Sequence, residues 1–114
     1  MHRRYAMIVN EMNEGRKAEY SLDGYILTVD GESYDLAALQ QDTEVILDVI
    51  KNNQYIANII IPPRKYRYVE RQETDISGEP ITVQVPEPEP LDINAVILNL
   101  WAIPEVKTNT EGGM

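Results

Sequence analysis

Tyr25-Ile26-Leu27-Thr28-Val29-Asp30-Gly31-Glu32-Ser33-Tyr34-Asp35-Leu36 is the stretch that decides the fold class of this chain. Two β-branched and aromatic runs flank an Asp-Gly pair. Both central positions of a type I′ turn need φ > 0, so Asp-Gly between such runs predicts a tight hairpin. The period of two along a strand puts Tyr25, Leu27 and Val29 on one face and Tyr34 and Leu36 on one face of the partner strand.

The segments downstream repeat the pattern. Glu44 to Ile50 and Tyr55 to Ile61 are Val/Ile-rich runs on either side of Lys51-Asn52-Asn53-Gln54, a polar turn with two residues that tolerate the left-handed region. Pro62-Pro63 ends the second run by removing two backbone donors. Leu36 to Gln41 has room for a single helical turn. Upstream, Tyr5 to Val9 reads as the first strand, Asn10 to Lys17 as a loop, and Ala18 to Leu22 as a short strand ending at Asp23-Gly24.

Beyond Pro63 the composition shifts. Arg64-Lys65-Tyr66-Arg67-Tyr68-Val69-Glu70-Arg71 is the one basic-aromatic run. From Glu70 to Asp92 there are seven acids against one base, with Pro80, Pro86, Pro88 and Pro90. Ser77-Gly78 reads as a turn, Ile81 to Val85 alternates as a strand, and Glu87-Pro88-Glu89-Pro90 must be extended. Ile93 to Trp101 fits a helical spacing with Asp92 as N-cap, but its β-branched content and the extended segment before it favour a strand. Residues 1–104 read as one domain and 105–114 as a polar, flexible tail. Seven or eight short strands at this spacing predict a mainly β fold. The expectation is a small antiparallel sandwich or partly open barrel built from hairpins, with at most one short helix.

Composition excludes several function classes. Of 114 residues, 10 are Lys or Arg and 19 are Asp or Glu, a formal charge of −9. That balance opposes generic nucleic-acid binding, which gains affinity by displacing counterions from phosphates. With no cysteine and one histidine, His2, the chain offers no thiolate site, no histidine metal cluster and no Ser-His-Asp triad. Its glycines form no phosphate-binding spacing, and no acidic segment matches a calcium loop. The expectation is a non-enzymatic protein with no catalytic, cofactor or metal residues. No apolar run approaches the roughly 20 residues of a membrane span, and the first residues lack a signal-peptide pattern.

What remains is binding. Arg64, Lys65, Tyr66, Arg67 and Tyr68 mix charge with rings that could face a partner, although a charged edge strand that discourages pairing needs the same residues. Trp101 could anchor an interface or fill the core.

The run Gly24 to Leu36, with its Val29-Asp30-Gly31-Glu32-Ser33-Tyr34-Asp35 hairpin, resembles small β-rich proteins encoded near the tail-tip and tail-fibre genes of tailed bacteriophages and prophages. Tyr55 to Arg64, an aliphatic strand ending in Pro, and Glu87-Pro88-Glu89-Pro90 are similar to the same group. The resemblance implies a tail-associated structural or assembly protein. Its partners would be other tail proteins and further copies of itself, and it would be found in the host cytoplasm during assembly and in the virion tail. The rival expectation is an acidic inhibitor of a host nuclease or defence complex, which copies the charge pattern of a nucleic acid.

Overall fold

The computed structural model describes residues 7–104. Nine strands form three open sheets and none closes into a barrel: β1 (Ile8–Glu11), β2 (Tyr20–Asp23), β3 (Ile26–Val29), β4 (Glu32–Asp35), β5 (Val45–Lys51), β6 (Gln54–Ile61), β7 (Tyr66–Thr74), β8 (Pro80–Pro88) and β9 (Ile97–Leu100). Helical content among the described residues is one α turn, α1 (Leu36–Leu39), and one 3-10 turn at Ile93–Ala95. The mainly β class expected from the sequence is the class found.

Three tight turns set the registers. Asp30 (φ 51°) and Gly31 (φ 84°) both lie in the left-handed region, as a type I′ turn requires, so Val29 pairs with Glu32 and Leu27 with Tyr34. Asn52 (φ 53°) and Asn53 (φ 64°) do the same between β5 and β6, making a two-residue turn inside the longer polar loop expected. Gly24 alone has positive φ in the β2–β3 connection, where Asp23 pairs with Ile26. Tyr25 therefore belongs to the turn and is exposed.

β2-β3-β4 is an antiparallel meander, and the larger sheet has the order β1-β9-β6-β5. Its β1–β9 pair is parallel, a detail absent from the antiparallel expectation, while β9–β6 and β6–β5 are antiparallel. Sequence-distant strands need no tight connection, so their direction escapes hairpin rules. The two sheets share one core of Leu27 and Val29 from the smaller, Leu36 from α1, and Ile56, Ile59, Ile61, Leu98 and Leu100 from the larger. Asp35 caps α1 through its Oδ1, which accepts from the Ala38 N–H at 3.2 Å.

Several boundaries differ from expectation: the strand read at Ala18 to Leu22 is Tyr20–Asp23, and the one read at Ile81 to Val85 runs Pro80–Pro88. The first strand begins at Ile8 and continues through Asn10 and Glu11, because β9 supplies partners for those polar residues; Tyr5 and the segment 105–114 lie outside the described residues. Ile93 to Trp101 is divided between both readings: Asp92 Oδ1 accepts from Asn94 N–H at 3.1 Å at the start of the 3-10 turn, and Ile97–Leu100 is strand.

The inner row of the large sheet, Val9-Leu98-Ile59-Leu47, faces the core, with Leu98 and Ile59 fully buried. Truncating Ile59 to Ala is expected to cost about 2–5 kcal/mol in equilibrium denaturation. Ile46→Ala on the opposite face, where Ile46 is 54% exposed, should change stability by less than about 0.5 kcal/mol. Equal losses at the two positions would refute this assignment of faces.

Candidate protein interfaces

β7 and β8 pair only with each other, nine residues on each strand from Tyr66↔Pro88 to Thr74↔Pro80. At about 3.3 Å per residue the ribbon is about 30 Å long. Neither strand contributes a residue to the buried core. The molecule measures 87 × 37 × 20 Å with a radius of gyration of 21.7 Å, where a compact chain of this length has about 13 Å. The ribbon is an arm.

Register sorts the arm's side chains. One face carries Arg67, Val69, Arg71 and Glu73 opposite Glu87, Val85, Val83 and Ile81; the other carries Tyr66, Tyr68, Glu70, Gln72 and Thr74 opposite Pro88, Pro86, Gln84, Thr82 and Pro80. The first face has an aliphatic centre, closed at one end by the Arg67 Nη2–Glu87 Oε1 ion pair at 3.3 Å. On the second, Tyr68 stands 68% exposed beside Pro86, and Gln72 Nε2 donates to Thr82 Oγ1 at 2.8 Å.

The base of the arm is clamped to the segment after α1. Arg64 Nη1 meets Asp42 Oδ1 at 3.0 Å, its Nη2 donates to the Gln40 carbonyl at 2.6 Å, and its backbone N–H donates to the Gln41 carbonyl at 2.8 Å. Tyr66 Oη donates to the same Asp42 oxygen at 2.7 Å, which holds the Asp42 carboxyl below its ordinary range with help from Arg64. Buried Gln40 donates through Nε2 to the Pro62 carbonyl at 3.1 Å. The tip is ordered by Asp75, whose Oδ1 accepts from Ser77 Oγ (2.7 Å), Ser77 N–H (2.9 Å) and Glu79 N–H (2.9 Å). Those donors, the Ser77 hydroxyl first, lower its pKa as well. Ile76 at the tip is fully exposed.

The six residues singled out from the sequence thus separate. Arg64 and Tyr66 are committed to the clamp, and Lys65, Arg67 and Tyr68 lie on or beside the exposed arm. Trp101 is elsewhere: its N–H donates to the Ile56 carbonyl at 2.9 Å, near the start of β6, whereas the arm departs from the far end of β6. There Trp101 lines an open cleft of about 650 Å³ with Tyr55, Asn13, Asn58 and Asp48.

The outer face of the large sheet holds a second surface that the sequence did not disclose. Ile8-Ile97-Ile60-Ile46 form one row across all four strands, and Asn10-Asn99-Asn58-Asp48 form the next. Asn10 Nδ2 donates to Asn99 Oδ1, and Asn99 Nδ2 to Asn58 Oδ1, each at 2.9 Å. Ile8 and Ile46 are about half exposed. Ile-x-Asp/Asn alternation was visible in each strand separately; the rows exist only once the strands are paired.

Among the described residues no group of three or more His, Asp or Glu is placed to hold a metal ion, and no helix is long and apolar enough to cross a membrane. Comparison with protein-family models, curated proteins and solved structures finds no match for this chain.

The clamp and tip make a pH prediction. Asp42 and Asp75 have folded-state pKa values below the ordinary 3.8, so their contribution is complete above that value and is lost as pH falls through the lower folded values. Amide exchange at Arg64, Ser77 and Glu79 should keep its protection from pH 7 down to about 4 and lose it below. Arg64→Ala should raise exchange at the Arg64 and Glu89 amides severalfold at neutral pH without exposing the core strands. Unchanged protection in that variant would remove the clamp from the account.

Proposed function

We propose that this chain is a non-enzymatic structural or assembly protein of a bacteriophage tail that acts by binding other tail proteins through its arm. The observation that carries the binding role is a nine-residue ribbon with an aliphatic face and no core beneath it. An isolated two-stranded hairpin is marginal in water, so a ribbon of this length gains most when a partner covers it. Val69, Val83, Val85 and Ile81 supply apolar area, Arg67 supplies charge at its end and Arg71, opposite Val83, within it, and Tyr68 presents a ring on the reverse face. The isoleucine row on the larger sheet offers a second contact. The tail setting rests on the resemblance of the Gly24 to Leu36 hairpin and its neighbours to tail-gene products.

Tagged full-length protein recovered from infected or induced cells should bring down tail-tip or fibre proteins, identified by mass spectrometry. Tyr68→Ala, or the pair Val69→Thr and Val85→Thr, should reduce that recovery about tenfold while leaving the unfolding midpoint of the core in place. Recovery of a host nuclease or defence subunit instead would overturn the assembly role and turn attention to the acidic surface.

A further inference from the structure

The two edges of the arm are not equivalent. The Glu89 N–H donates to the Lys65 carbonyl at 2.8 Å, and the Asp75 N–H to the Glu79 carbonyl at 2.8 Å. These bonds fix the parity of the ladder: odd-numbered pairs exchange hydrogen bonds, and even-numbered residues point their N–H and C=O groups outward. On β8 the even positions are Pro80, Thr82, Gln84, Pro86 and Pro88, so three of its five outward donors are missing. On β7 they are Tyr66, Tyr68, Glu70, Gln72 and Thr74, and all five donors are present. Proline has therefore closed one edge to strand addition and left the other open.

We propose that the open edge of β7 pairs with β7 of a second copy of this chain, antiparallel about a two-fold axis, giving a four-stranded sheet in the order β8-β7-β7-β8. The proposal deepens the reading of the arm as the binding surface by naming one partner. Its register follows from where the edge begins and ends. The next outward donor toward the base, Arg64 N–H, is already taken by the Gln41 carbonyl, so the free edge runs from Tyr66 to Thr74. Full overlap of two such edges sets Tyr66 opposite Thr74 of the second copy, Tyr68 opposite Gln72, and Glu70 opposite Glu70. All are outward-pointing residues on both sides, as hydrogen bonding demands.

Charge supports the same register. Arg67 falls opposite Glu73 of the second copy, and by symmetry Glu73 falls opposite its Arg67. Within one chain Glu73 faces Ile81 and makes no ion pair among the described residues. A shift by two residues in either direction would instead set arginine against arginine: Arg67 against Arg71, or Arg71 against its own copy. Because the axis is perpendicular to the sheet, Val69, Val83, Val85 and Ile81 of both copies lie on one face, where Val69 falls opposite Arg71 of the second copy and the two aliphatic clusters approach each other diagonally through Val69. Glu70 against Glu70 is the one like-charge contact, and it marks the register.

Sedimentation equilibrium of the full chain over a concentration series is the test. A monomer–dimer equilibrium is expected. Glu70→Gln should tighten it about two- to fivefold by removing the like-charge pair. Glu73→Lys, at a side chain with no hydrogen bond or ion pair among the described residues, should weaken it about fivefold. Glu70→Pro should weaken it at least tenfold, because it deletes the central outward donor and leaves the odd-numbered ladder to β8 intact. Cross-strand NOEs between Val69 and Val85 report whether the hairpin survives the proline. Monomer for both wild type and Glu70→Gln up to the solubility limit would overturn the proposal, as would a dimer indifferent to Glu70→Gln and Glu73→Lys. A monomer that still captures tail proteins would refute self-pairing and leave the binding role standing.

Discussion

The larger sheet depends on β9. This four-residue strand lies between β1 and β6, parallel to one and antiparallel to the other, so β1 is joined to the second hairpin only through it. Its inward residues Leu98 and Leu100, with Val96 just before it, are almost wholly buried. The loop after β1 then straps the end of β9: Asn13 Oδ1 accepts from the Ala102 N–H at 2.8 Å, and the Ile103 N–H donates to the Arg16 carbonyl at 2.8 Å. Gly15 makes that approach possible, since a Cβ there would sit 2.7 Å from the Ala102 Cβ. The pairing closes a loop of nearly the whole chain, and the apolar surface it buries must offset that closure entropy.

What the sequence disclosed and what it concealed divide along the same line. Asp30-Gly31 and Asn52-Asn53 were legible because a left-handed turn is a property of two adjacent residues, and the hairpin registers follow from them. Leu27 and Val29 were legible as a buried face because the turn fixes which parity points inward. The course of β7 beyond Arg71 was not legible. Gln72-Glu73-Thr74 has no apolar alternation and is strand only because Thr82, Ile81 and Pro80 lie opposite. Likewise Asn10, Asn58 and Asn99 are unremarkable polar positions until β9 aligns them across strands. Of the six candidate interface residues, Arg64 and Tyr66 had the composition of a ligand strip but are satisfied by Asp42 and the Gln40 and Gln41 carbonyls, partners more than twenty positions away.

The arm is stabilised mainly from its ends. At the base the clamp fixes its exit from Pro62-Pro63, and at the tip Asp75 gathers three donors while Gly78 takes φ 90°. Between them stand exposed contacts: Arg67 with Glu87, Gln72 with Thr82, and valines packed on valines. An exposed ion pair contributes at most about 1 kcal/mol, and cross-strand pairs contribute similar small amounts. Such a ribbon holds its register through its ends and leaves its centre free to respond to whatever covers it. The prolines of β8 fit this division, since at non-hydrogen-bonded positions they stiffen one strand without breaking a ladder bond.

The two surfaces left uncovered, the arm and the isoleucine row, are differently built and differently placed. The row lies on the sheet that contains the core, so its geometry is as rigid as the core itself. The arm extends from the end of β6 opposite to Trp101, after two prolines and held at its base by the polar clamp. On the proposed reading, a sheet face joined to a projecting ribbon would let one small chain hold one neighbour while reaching another about 30 Å away. The asparagine row and the Arg64–Asp42–Tyr66 clamp are each tied up in their own hydrogen bonds, whereas the arm's valines and the outer isoleucines have no such partners. That distribution is what the binding role proposed above draws on.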